Sequence, residues 1–239
     1  MPGPLGTETN RSVIDDGTNC LQASPIPGSL CGNKRNIQVL DPATRKLAAI
    51  AYGEASAAND RDEIGGIAFA VANRARAWDG KTVDELLRDD PNYTYAVKDG
   101  NPRYDRLMNA SEAEIEKDPG MKLAVEMARN ALANFGADPS NGASWWDGVD
   151  FKTNYDKHPK VKDGFRFGSP SHNIFSVKES SSEEQVIHWK VRDKKGELVD
   201  GQERGRYKYI WISTAAHGKT IFWRHSPEYL KATGCKEYK

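Results

Sequence analysis

The first residue in this chain with the makings of chemistry is an acid set on an apolar helical face. In Leu47-Ala48-Ala49-Ile50-Ala51-Tyr52-Gly53-Glu54, the residues Leu47, Ile50, Ala51 and Glu54 follow the i, i+3, i+4, i+7 spacing of one stripe. The carboxyl group projects beside the small residues Gly53, Ala55 and Ala57. Desolvation at such a place raises a carboxyl pKa, so the group stays protonated nearer neutrality and can serve as a general acid. That is the role a glycosidase requires. A plainer reading also fits the spacing: the stripe ends at Ala51, and Glu54 is a solvated residue of the last turn.

Other candidates are less specific. Asn73-Arg74 closes a helix and reads either as a cap with a solvated charge or as a pair facing a groove. Tyr95 and Tyr104 offer faces that stack on sugar rings, or they pack in the core. Trp145 and Trp146 are adjacent, so on a strand they point to opposite sides and one of them faces a cleft or interface. Asp60, Asp62 and Glu63 read as loop or helix-start charges favoured by the helix dipole. The histidines His158, His172, His188, His217 and His225 lack metal-ligand spacing, so neither a metal site nor a cofactor is expected. Cys20, Cys31 and Cys235 match no zinc pattern; one bridge with a free thiol and three free thiols both fit.

The elements that must position these residues follow from local signals. Residues 1–40 are rich in Gly, Pro, Ser, Thr and Asn and read as an extended lead-in to a domain over 41–239. Asp41-Pro42 opens a helix as N-cap and first residue. A second helix is expected from Asp62 to Trp78, and capping boxes at Thr82 and Ser111 start two more. Asp118-Pro119 opens a long helix with Met121, Ala124, Val125, Ala128, Leu132 and Phe135 as its buried face and Gly136 as its stop. Strands are expected over 185–191, 207–212 and 220–223, with Lys194-Lys195-Gly196 and Asp200-Gly201 fitting hairpin turns. The fold class is therefore α+β, mainly helical, with a small antiparallel sheet in the second half.

The 239 residues suffice for one well-buried domain, and 34 Lys+Arg against 34 Asp+Glu give no global field for a nucleic acid. No apolar run approaches the roughly 18 residues of a membrane span. Met1-Pro2-Gly3-Pro4-Leu5-Gly6 lacks the basic-then-apolar order of a secretory signal.

Tyr52-Gly53-Glu54-Ala55, a short polar loop and an Ala/Val-rich helix closing on Asn73-Arg74 resemble the N-terminal half of the SleB-type cell-wall hydrolases, the spore-cortex-lytic enzymes. Tyr95 to Tyr104, Asp138-Pro139-Ser140-Asn141-Gly142-Ala143-Ser144-Trp145-Trp146 and Gly218-Lys219-Thr220-Ile221-Phe222-Trp223 resemble later pieces of the same family, in the same order. The likeness covers roughly 43–146 and 213–224. It departs in the loop after Glu54, which lacks the usual Gly-Glu pair, and over 148–208, which reads as an insertion.

The resemblance implies a lysozyme-like domain that cuts the MurNAc–GlcNAc linkage of peptidoglycan, as a lytic transglycosylase or a muramidase. Glu54 matches the family's catalytic glutamate, and Tyr52, Asn73, Arg74, Tyr95, Tyr104, Trp145 and Trp146 are the expected substrate-binding residues. One glutamate suffices if the MurNAc 6-hydroxyl closes a 1,6-anhydro ring, whereas ordinary hydrolysis uses a carboxylate pair. Lys157, Lys160 and Lys162 form a basic cluster that reads as a solvated loop or a contact for an anionic wall polymer. With no signal, the expectation is a protein made in the cytoplasm and acting on the wall, in the periplasm of a target cell. An antibacterial effector injected by a type VI-like apparatus, with a cognate immunity protein, fits that route, as does a phage-type lysin. Two rivals stand: a non-catalytic wall- or partner-binding module on the same fold, and a Cys/His peptidoglycan amidase.

Overall fold

The computed structural model of the chain describes residues 39–90, 97 and 100–237. The expected lead-in with Cys20 and Cys31, and Tyr95, lie outside these residues. The architecture is α+β and mainly helical, with the strands in the second half.

Helix α1 (Pro42–Glu54) begins as its residues dictate: Asp41 is extended, and its carboxylate accepts the Thr44 N–H at 2.9 Å with Pro42 at the first position. Asp60 caps α2 (Arg61–Ala77) through the Glu63 N–H at 2.8 Å. The Thr82 capping box starts α3 (Val83–Asp89). Asn101 accepts the N–H groups of Arg103 and Tyr104 to start α4 (Pro102–Asn109), which periodicity did not reveal. The Ser111 capping box starts α5 (Glu112–Lys117), and Asp118 caps α6 (Pro119–Ala133).

Helices α1, α2 and α6 pack together around Leu47, Ile50, Ile64, Ile67, Ala68, Met121, Ala124 and Ala128, all buried. Small residues let the helices approach: a Cβ on Gly65 would lie 3.0 Å from Met127 Sδ. The expected face of α6 needs one correction. Met121, Ala124, Val125 and Ala128 are buried, but Leu132 and Phe135 are 38% and 70% exposed. The helix stops at Ala133 because Asn134 turns left-handed (φ 50°), so the helical stripe no longer governs Phe135.

The second half opens with β1 (Trp145–Asp147), α7 (Asp150–Thr153), α8 (Pro159–Asp163) and β2 (Phe165–Phe167). A separate hairpin of β3 (Gln185–Arg192) and β4 (Leu198–Tyr207) follows, then β5 (Trp211–His217), β6 (Thr220–His225) and α9 (Pro227–Thr233). The main sheet runs β1-β6-β5-β2, with β1/β6 and β6/β5 antiparallel and β2/β5 parallel. The strand expected over 207–212 is instead two strands. Between them, Lys208 O accepts the Ser182 N–H and Ile210 N–H donates to Gly164 O, which diverts the chain. The hairpin turns at Asp193–Gly196, as expected for Lys194-Lys195-Gly196. Gly201 lies inside β4, whose pairing with β3 shifts register nearby.

A second core of Phe151, Phe165, Ile221 and Trp223 joins residues of the 148–208 segment to β6. Its rings meet mostly edge to face, as Phe151 and Phe165 do at 5.1 Å between centroids.

Candidate active site

Glu54 is the last residue of α1, at the negative end of the helix dipole with no basic residue in the final turn. The carbonyls there need partners that the helix cannot supply. Arg103 Nε donates to Tyr52 O at 2.7 Å, and Asn101 Nδ2 donates to Gly53 O at 2.9 Å. The Arg103 guanidinium also lies 3.9 Å above the Tyr52 ring and reaches Asn59 Oδ1 at 2.7 Å. Tyr52 and Tyr104 are both buried, and Tyr104 Cβ sits 3.0 Å from where a Cβ on Gly53 would be. These tyrosines and the small Gly53 brace the helix end that presents Glu54.

Trp146 arrives from the sheet. It pairs with Phe222 across β1 and β6, and the Phe222 ring rests on Gly66 of α2, where a Cβ would lie 2.4 Å from Cζ. The indole N–H of Trp146 donates to the Glu54 carboxyl. Burial pushes the Glu54 pKa above the usual carboxylate range; the Trp146 hydrogen bond opposes this, and the negative charge of Asp150 adds to it. Glu54 is half-buried rather than sealed.

Trp145 points to the other side of β1. Its ring lies 4.5 Å from His225 and 5.0 Å from Trp211, and the Arg74 guanidinium stands 4.8 Å from it. Arg74 is buried and ion-paired with the buried Asp90. Asn73 Nδ2 donates to Asp138 Oδ2 at 2.9 Å and Ala143 O at 3.0 Å, clasping the turn that leads into β1. So Asn73 and Arg74 hold the strand that carries Trp146, and their side chains are committed to protein partners. Of the expected site residues, Glu54 and Trp146 meet directly; Tyr52, Asn73, Arg74, Tyr104 and Trp145 support the elements around them.

Glu63 is a residue whose place the sequence concealed. It opens α2 as expected, yet it is 1% exposed rather than solvated. Its carboxylate accepts from Ser56 N (3.1 Å), Ser56 Oγ, Lys219 N (2.9 Å) and Thr220 Oγ1 (3.0 Å). This ties the loop after Glu54 to the β5–β6 turn.

Asp147, Asp150 and His158 bring ligand atoms within 4.8 Å of one another, the kind of grouping that can hold a cation. The Lys160 ammonium already lies 3.0 Å from Asp147 Oδ2 and supplies a positive charge. Lys160 is thus buried in an ion pair, whereas Lys157 and Lys162 are exposed. Cys235 is half-buried, with the Tyr229 hydroxyl donating to its Sγ at 3.5 Å. Among the described residues, no helix is long and apolar enough to cross a membrane.

No protein-family model, curated protein or solved structure matches the chain. The site has therefore to be read from its own geometry and electrostatics: a half-buried acid of raised pKa, backed by a donor-only indole, with an exposed carboxylate in its field.

Proposed function

We propose that this chain cleaves peptidoglycan glycan strands at the MurNAc–GlcNAc linkage, with Glu54 as general acid. The observation that carries the reading is the pairing of Glu54 with Trp146 at the end of α1. A glycosidic oxygen leaves well only if it is protonated as the C1–O bond breaks, which calls for a carboxylic acid that keeps its proton near neutrality. Burial, with a smaller contribution from the Asp150 charge, pushes the Glu54 pKa in that direction. The indole can give a hydrogen bond but cannot accept the proton, so it fixes one carboxyl oxygen and leaves the O–H to face the substrate. The resemblance of residues 43–146 and 213–224 to SleB-type hydrolases supports the same assignment and a lysozyme-like class for the domain.

After bond cleavage the Glu54 carboxylate becomes the base in either of two courses. It takes the proton of the MurNAc 6-hydroxyl in forming the anhydro ring, or recovers its proton from solvent after hydrolysis. The exposed side of Glu54 is where the strand binds, and a cognate immunity protein would act by covering it. Glu54→Gln keeps the acceptor for Trp146 but removes the acid; digestion of purified sacculi by this variant and the parent tests the reading. Turnover by the parent and none by Glu54→Gln supports it. Sacculus binding by both with turnover by neither selects the binding module.

A further inference from the structure

Among the described residues, the β3–β4 hairpin gives no side chain to either hydrophobic core, and its two faces are unlike. On one face Lys190 pairs with Asp200 at 2.5 Å and Arg206 with Glu203 at 2.6 Å, so that face is polar and satisfied. The other carries Ile187, Trp189 and Val191 by strand alternation, with Val199 opposite Val191. Helix α9 covers its base: a Cβ on Gly205, the partner of Ile187, would lie 3.1 Å from the Ala232 side chain. The helix ends at the left-handed Gly234 (φ 66°), where the Arg204 guanidinium packs on the glycine and stands 4.2 Å from the Trp189 ring. Past Arg204 the face is uncovered. Trp189 is 52% exposed, Val191 and Val199 are exposed, and Gly201 beside them adds no side chain.

Size and charge decide what such a strip can hold. The 8 residues of β3, at about 3.3 Å each, and two strands about 4.8 Å apart make a ribbon of roughly 250 Å². A stable dimer buries about 800 Å² on each partner, so a second copy of the chain is a poor occupant. One extended polymer strand matches the shape. A sugar ring can lay its apolar C–H face on an indole. The charges narrow the choice to an anionic polymer. Asp200 and Glu203 are ion-paired, and Asp193 accepts the backbone N–H groups of Lys195 and Glu197. Among the described residues, the side chains of Lys194, Lys195 and Arg204 meet no carboxylate, and Glu197 is the one acid of the hairpin left without a partner. The uncommitted charge is therefore positive.

We propose that the uncovered half of the hairpin is a second binding surface for the glycan strand. Trp189 stacks on a sugar ring, and Arg204, Lys194 and Lys195 meet the carboxylates of the MurNAc lactyl groups and peptide stems. The identity of the polymer rests on the reading of the chain as a peptidoglycan-cleaving protein. The hairpin takes part in no bond-breaking step, so its contribution is affinity for the polymer.

The test is cosedimentation with purified sacculi over a range of salt concentrations, in the Glu54→Gln background so that bound polymer is not cut. Adding Trp189→Ala is expected to weaken binding roughly five- to tenfold. Trp189→Phe, which keeps a ring face, is expected to recover most of that loss. Lys194→Ala with Lys195→Ala is expected to flatten the salt dependence. All three positions are exposed, so the Tm of each variant should match the Glu54→Gln protein. Binding by Trp189→Ala within about twofold of Glu54→Gln would overturn the role of the hairpin. So would a dimer in size-exclusion chromatography that Trp189→Ala dissolves, or Trp189-dependent sedimentation with phosphatidylglycerol vesicles but not with sacculi. Cleavage of sacculi by the parent, measured alongside, separates the two readings. Cleavage with no effect of Trp189→Ala on binding removes the hairpin alone. Trp189-dependent binding without cleavage keeps the hairpin and removes the Glu54 chemistry. Neither binding nor cleavage would overturn both.

Discussion

The indole N–H of Trp146, on the first strand of the sheet, donates to the carboxyl of Glu54, the last residue of the first helix. That single contact joins the helical half to the sheet at the point where an acid is held in a partly desolvated place. It also lowers the Glu54 pKa against a larger burial effect that raises it.

Trp146→Phe removes the lowering influence and keeps most of the apolar contact. The Glu54 pKa then rises further, and a general acid is active only below its own pKa. The alkaline limb of the kcat/KM profile on soluble glycan fragments is therefore expected to move to higher pH. The rate on the plateau should fall about tenfold as the carboxyl loses its orientation. Asp150→Asn is expected to move the same limb the other way, because a charge that raises the pKa is gone. Limbs that stay in place in both variants would separate Glu54 from these neighbours.

Glu54→Gln should stabilise the fold at neutral pH. With its folded pKa raised, Glu54 binds its proton more tightly in the folded state than in the unfolded one. Its contribution is fully present below the unfolded pKa and is lost as pH rises through the folded pKa. The neutral amide suffers no such loss. Thermal unfolding is expected to give a higher Tm for the variant at pH 7 to 8 and a shrinking gain as the pH is lowered toward 4. An equal Tm across that range would contradict the desolvated acid.

Gly66→Ala tests the route by which Trp146 is placed. Replacing a mid-helix glycine by alanine ordinarily gains up to about 1 kcal/mol. Here the new Cβ would lie 2.4 Å from the Phe222 ring, and Phe222 is the register partner of Trp146. Overpacking of this kind costs about 1–3 kcal/mol, so the net change is expected to be destabilising, with a fall in activity. Denaturant unfolding decides the sign.

His225 makes the sheet sensitive to acid. The ring is buried between Trp145 and Trp211, and burial pushes its pKa down to about 4. Below its ordinary value near 6.5 the unfolded chain takes up a proton that the folded one refuses. Its contribution is therefore complete above pH 6.5 and lost progressively down to about pH 4, amounting to about 3 kcal/mol. His225→Phe is expected to flatten the unfolding free energy over that window. An unchanged slope would mean that the ring charges as easily when folded.

The first half was largely legible because its signals are local. Asp41-Pro42, the Thr82 and Ser111 capping boxes and Asp118-Pro119 each fix a helix start with residues no more than three apart. Phe135 was misplaced because one left-handed Asn134 ended the helix that its spacing presumed. The second half depends on distant contacts, such as the parallel pairing of β2 with β5 and the deflection of Lys208 to Ile210 by Gly164 and Ser182. Nothing in local periodicity encodes these. The same divide runs through the site. The stripe of α1 pointed to Glu54, and adjacency in β1 pointed to one of the two tryptophans. Trp146 is brought to Glu54 only by the pairing of β1 with β6, and Glu63 looks like any helix-start charge until the β5–β6 turn folds over it.

The most direct measurement is mass spectrometry of the soluble fragments released from purified sacculi by the parent protein and by Glu54→Gln. Fragments cut at the MurNAc–GlcNAc linkage by the parent, and none from the variant, are the expected result. Equal release by the two proteins, or cuts confined to the peptide stems, would contradict the assignment of Glu54 as the acid of a glycan-cleaving site.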